Sequence, residues 1–202
     1  MEKYKEITSW RCPMLLISIT AYFIIPLYTL LFAWKTDWFT MNFSVLGNLS
    51  SRKNLFLLWG IIVGVYFYYV LKRIIKGLPR NKKEKAVSGT ALFFLSLAVL
   101  TPYLPDAHPF PAVLHVIFSF MASIFLIICL YMVIWKLYCM NQAAYRNFLT
   151  GLNVITALSF LLFSLAGIVS TALEVFFVLS STLLLQKLYL KVTTPKKRWK
   201  RA

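Results

Sequence analysis

His108 and His115 are the only two histidines in a chain of 202 residues, and both lie in PYLPDAHPFPAVLH, residues 102–115. Between them stands Asp106, one of only six acidic residues. Glu174, in STALEVFFVLSS, has no charged neighbour at all. Imidazole and carboxylate placed together can do three kinds of work. Three N/O ligands plus a water make a hydrolytic zinc site, and His108, His115 and either Asp106 or Glu174 would supply them. That reading predicts stoichiometric zinc lost in His115→Ala, although the spacing is not a zinc signature. A pair that titrates together, His115 with Glu174, could serve a proton-coupled carrier. The third role is to hold the headgroup of an amphiphile. Against all three stands a structural reading, in which His115 and Glu174 hydrogen-bond and lock two helix ends together.

The elements that must position these groups are membrane helices. The chain is 60% hydrophobic and 14% charged, against about 25% charged in a soluble domain. Apolar runs of about 18 residues recur, each able to cross the ~30 Å hydrocarbon core. Backbone groups in lipid must be satisfied internally, so such runs are helices. The expectation is an all-α bundle forming one integral membrane domain over residues 1–202. Six spans are read at 12–33, 55–71, 87–101, 112–135, 147–166 and 171–190, with both termini cytoplasmic. Pro102 ends the third. The last two form one run of about 42 residues, ~63 Å as a single helix, so a turn is expected within SLAGIVST, residues 164–171. LLFAWKTDW offers no small-x-small cleavage site, which keeps the first span as a span.

The net charge of +16 is a topology signal. Lys and Arg number three before the first span, seven between the second and third, two between the fourth and fifth, and seven from Lys187 onward. These nineteen share one side, against three on the other: Lys35, Arg52 and Lys53. By the positive-inside rule the rich side is cytoplasmic. The basic stretches 72–85 and 195–201 then face anionic lipid headgroups, and nucleic acid is not the expected partner. Cys12, Cys129 and Cys139 all fall inside a span or at its cytoplasmic end, so no disulfide is expected.

The other side gathers the candidate binding residues: His115, Glu174, Asp106, His108, Arg52, Asp37 and Asn48. His115 falls about one turn into the fourth span and Glu174 about one turn into the sixth. His115 is the expected partner of Glu174 by depth, with Arg52 next. His115, Ser119 and Ser123 repeat every four residues on one helix face. Asn153, Thr156, Ser164 and Gly167 form a similar stripe on the fifth span, read as helix-bridging. The stretch 34–54 mixes Trp38, Phe39, Phe43 and Leu46 with Asn42, Ser44 and Asn48. It reads as a short interfacial or re-entrant piece with aromatics toward headgroups. GIIVG, residues 60–64, is a small-xxx-small step for close helix packing.

G-x-S-x-G, H-E-x-x-H, P-loop and dinucleotide fingerprints are all missing. The expected function is lipid-associated and non-enzymatic, without a cofactor: an outward polar pocket that binds a lipid headgroup, in a multi-pass protein of the cell membrane. A small carrier and a metal-dependent membrane hydrolase are the alternatives, and a homo-oligomer is left open. FSVLGN (43–48), the 102–115 loop and the early Glu174 resemble the six-span Frag/DRAM/Sfk-type proteins and related bacterial membrane proteins. The resemblance implies that Ser44 and Gly47 match a Ser-x-x-Gly-like motif after the first span, and His115 a histidine entering the fourth. It also implies a lipid-related role. His108 and the loop prolines have no counterpart in that pattern.

Overall fold

A helix that is apolar on every side has no face to give to water, and the bundle leaves many such faces uncovered. Phe23 is 68% exposed, Phe160 72% and Leu165 72%, which fits contact with hydrocarbon rather than water. The computed structural model describes residues 14–48 and 52–193, without the Asn48 side chain. Asn48 as a side chain, Cys12, the first three cations and the basic stretch 195–201 lie outside the described residues. Among the described residues the chain forms α1 (Met14–Phe32), α2 (Phe43–Asn48), α3 (Lys53–Lys76), α4 (Lys82–Leu100), α5 (Pro109–Met140), α6 (Gln142–Ala166) and α7 (Thr171–Thr193). Among the described residues there is no strand.

Five of these, α1, α3, α5, α6 and α7, are long and apolar enough to cross a membrane, which is the makeup of a multi-pass membrane protein. The third expected span, 87–101, falls in α4, which does not reach that standard. Its first turn is Lys82, Lys83, Glu84 and Lys85, and the 15 residues that remain give only about 22 Å of helix. The charged turn is held by α5 instead. Lys136 donates to Glu84 Oε1 at 2.6 Å and to the Arg80 carbonyl at 3.2 Å. Glu84 is only 4% exposed.

Local chemistry explains the helix ends. Pro26 has no N–H, and its ring crowds the carbonyl four residues earlier. The turn before it accordingly widens into a π-turn at Thr20–Ile24, with the Ile25 N–H reaching back to the Thr20 carbonyl. The break expected in residues 164–171 occurs at Gly167, where φ is 69°. Its N–H closes α6 on the Phe163 carbonyl at 2.9 Å, an αL cap that suits glycine. Asn141 starts α6 by accepting the Ala144 N–H at 3.0 Å, as an N-cap does. The 60–64 step packs as expected. A Cβ on Gly60 would lie 2.8 Å from Val99 of α4, so only glycine lets α3 and α4 approach so closely.

The helices are tied by polar bonds as well as by packing. Gln186 is fully buried and joins α7 to α1 and α3, donating to Ser18 Oγ at 2.9 Å and accepting from the Tyr66 hydroxyl at 3.2 Å. Tyr131 of α5 donates to Asn153 Oδ1 of α6 at 2.9 Å, with Thr156 3.3 Å away. That part of the α6 stripe does bridge helices.

The α4–α5 ion pair generates a stability prediction. Replacing Lys136 with Met leaves Glu84 buried and unpaired, which costs up to about 3–5 kcal/mol. Lys136 is itself 26% exposed, so the low end applies. Thermal unfolding in detergent should show this loss, and Glu84→Gln in the same chain should restore part of it.

Candidate functional site

Two first-turn N–H groups of α7 are answered by the segment after α1. The first N–H groups of any helix lack intrahelical partners. Thr171 N–H donates to the Met41 carbonyl at 2.7 Å and Ala172 N–H to the Trp38 carbonyl at 2.8 Å. Thr171 Oγ1 adds a bond to Met41 O at 2.9 Å, and Ser170 Oγ accepts the Leu173 N–H at 3.4 Å. In return Glu174 Oε2 accepts the Phe43 N–H at 2.7 Å, at the first residue of α2.

The segment has its own local order. Asp37 Oδ1 accepts the Phe39 N–H at 3.0 Å and the Thr40 N–H at 3.4 Å. The Phe39 amide, followed by Thr40, holds this carboxyl below the usual range. Asn42 Oδ1 accepts the Val45 N–H at 2.8 Å and caps α2. Phe43 is fully buried and Leu46 nearly so. The Phe43 ring meets Phe32 edge-on at 5.1 Å and Trp59 at 5.0 Å. So the aromatics of 34–54 divide: Trp38 and Phe39 are exposed, while Phe43 turns into the core and not toward headgroups.

Turning Phe43 inward aims Ser44 at the fourth expected span. Ser44 Oγ lies 2.6 Å from His115 Nε2. The other ring nitrogen, Nδ1, lies 2.8 Å from the Thr101 carbonyl. A carbonyl can only accept, so in the neutral ring the proton sits on Nδ1 and Nε2 presents its lone pair to the Ser44 hydroxyl. Tyr103 stands beside the imidazole, ring centres 5.6 Å apart. His115 is 3% exposed.

Ser44, His115 and Glu174 line one cavity of about 140 Å³. Ser119 and Ser123 line it too, so the every-fourth-residue stripe on α5 faces it. The remaining wall is apolar, including Phe56, Trp59, Val63, Leu95 and Leu126. This volume is well above the ~10–15 Å³ needed to admit a water. It is below the ~300 Å³ of common small-molecule clefts. The cavity therefore takes a polar group and its first attached atoms.

The expected His115–Glu174 hydrogen bond is replaced by two bonds to α2. His115 bonds to Ser44 and Glu174 to the Phe43 amide, because α2 comes between the ends of α5 and α7. The rest of the candidate set lies elsewhere. Asp106 and His108 are exposed on the loop and do not line the cavity. Asp37 caps its own turn. Arg52 lies off the cavity, its guanidinium 3.4 Å from the Phe32 carbonyl. The four proposed zinc ligands thus do not converge, and no group of three or more His, Cys, Asp or Glu side chains among the described residues is placed to hold a metal.

Ser44 is marked as a site position in the sequence only by the family resemblance, and the Thr101 carbonyl does not enter that reading at all. The one local hint for Ser44 is Asn42 two residues before it, a capping residue ahead of an apolar pair. No protein-family model matches the chain, and no curated protein or solved structure matches it either.

The Glu174–Phe43 bond separates two substitutions. Glu174→Gln keeps an acceptor for the Phe43 N–H and should unfold near the wild-type temperature. Glu174→Ala leaves that donor unsatisfied beside a buried ring and should cost about 1–3 kcal/mol. Equal unfolding temperatures for the two would show that the bond does not hold α2.

Proposed function

We propose that this is an integral membrane protein whose cavity binds the polar group of a membrane amphiphile. The observation that supports the reading is the convergence of Ser44, His115 and Glu174, from three distant stretches, on a cavity otherwise walled by apolar side chains. Polar groups at membrane depth cost free energy and ordinarily face a partner or a wet cavity. Here the Ser44 oxygen, its proton directed to the imidazole, keeps a lone pair for a polar ligand, and the apolar wall accepts the adjoining hydrocarbon. The resemblance to the Frag/DRAM/Sfk-type proteins, which rests on Ser44, Gly47 and His115, leans toward the same lipid-related role.

The same proposal includes the orientation. With both termini cytoplasmic, α4 crosses beside α5 as a sixth helix, the cavity opens toward the outer leaflet of the cell membrane and the basic 72–85 segment lies against anionic headgroups. Asp106 and His108 then sit at the outer surface, outside the binding cavity.

Native mass spectrometry of the purified chain should find a retained amphiphile. Ser119→Leu, which fills the cavity, should abolish its retention, while Arg52→Ala should leave it unchanged. Retention by the Ser119→Leu protein would remove the cavity from the account. Orientation is read with Cys139, which is exposed at the end of α5. In a chain carrying Cys12→Ser and Cys129→Ser, an impermeant maleimide should label Cys139 only after the cells are permeabilised. Labelling of intact cells would reverse the topology.

A further inference from the structure

Ser44, His115 and the Thr101 carbonyl stand in the relation that activates a nucleophile. A hydroxyl is a weak nucleophile until a base accepts its proton, and the base works best when a third group fixes its tautomer. The Ser44 Oγ to His115 Nε2 separation of 2.6 Å is within reach for proton transfer. The 2.8 Å contact from Nδ1 to the Thr101 carbonyl fixes which nitrogen is basic. A mere clamp between α2 and α5 would need no access, yet this pair lines a cavity. Ser44 itself is only partly buried.

We propose that Ser44 is the nucleophile, and His115 the general base, of an acyl-transfer site acting on an ester of a membrane-embedded lipid. This rests on the cavity binding an amphiphile, and it adds that the bound polar group is an ester. A phosphate is not favoured, because the described cavity wall presents hydroxyls and neither Lys nor Arg.

The reaction closes with water as the only co-reactant. Ser44 Oγ attacks the ester carbonyl carbon while its proton passes to His115 Nε2. The tetrahedral intermediate collapses, the C–O bond to the alcohol breaks, and the alcohol leaves with the proton from Nε2. A water then attacks the acyl-Ser44 carbonyl, giving its proton to Nε2. The bond from the acyl carbon to Ser44 Oγ breaks, and Oγ recovers that proton as the acid leaves. Ser119, one turn beyond His115 on the same wall, supplies a hydroxyl that can donate to the developing oxyanion. Glu174 is a positioning residue: it acts through the Phe43 amide, next to the nucleophile.

The test uses a fluorophosphonate probe on the full chain in detergent micelles, read by intact mass and by fragment mapping. Ser44 Oγ bonds to phosphorus, fluoride leaves and the proton goes to His115. One probe per chain should be found, at Ser44, and none in Ser44→Ala. His115→Gln should label about 10²–10⁴-fold more slowly, the usual weight of a general base. In the wild type the rate should fall as the pH is lowered and the imidazole is protonated. Absence of labelling at Ser44, or a rate that His115→Gln does not change, overturns the proposal. Native mass spectrometry of unlabelled Ser44→Ala keeps the two readings apart. If amphiphile is retained and the wild type is not labelled, binding stands and catalysis fails. If wild type retains no amphiphile, the binding reading fails first.

Discussion

The site depends on an exchange of hydrogen bonds between the start of α7 and the segment that follows α1. The two N–H groups at Thr171 and Ala172 need acceptors, and the carbonyls of Met41 and Trp38 supply them. Glu174 then returns an acceptor to the Phe43 amide. Each side satisfies groups that the other would leave bare in a medium without water to replace them. With both ends fixed, α2 has one way to lie. Phe43 and Leu46 go to the core and Ser44 goes to the imidazole.

This gives Glu174 a reason to be where it is. An acidic side chain one turn into an apolar helix looks like a member of an ion pair or a proton relay. Its hydrogen bond is instead to a main-chain N–H, and its effect is on the geometry of the next residue along. An ion pair between helices lies elsewhere, between Glu84 and Lys136, where a charged turn of α4 is held against a long α5. The two acids thus have opposite tasks. One orders a short helix at the cavity, and the other joins two helices away from it.

The loop 102–115 works in the same indirect way. Its prolines stop α4 and start α5, since Pro102 cannot extend the first and Pro109 suits the first turn of the second. That connection sets the Thr101 carbonyl and the Tyr103 ring beside His115. Asp106 and His108, the loop's own titratable groups, stay at the surface.

Hydrophobic run length and helix-end chemistry were legible in the sequence, because both are local. The order of α1, α3, α5, α6 and α7, the turn within 164–171 and the inward α5 stripe through His115, Ser119 and Ser123 follow from spacing and from the limits of lipid as a solvent, while the helices Lys53–Lys76, Pro109–Met140 and Gln142–Ala166 each run beyond the expected bounds. α4 is less uniformly apolar than these five, because Lys82, Lys83, Glu84 and Lys85 fill its first turn. Which polar groups meet was a matter for the tertiary structure. His115 and Glu174 each lie near the start of an apolar helix, and nothing in the sequence says that α2 lies between them. Backbone partners such as the Thr101 carbonyl and the Phe43 amide carry no side-chain signature, so no residue type announces them. Pairing across 71 residues, as between Ser44 and His115, is decided by how separate helices pack, and only the folded chain contains that information.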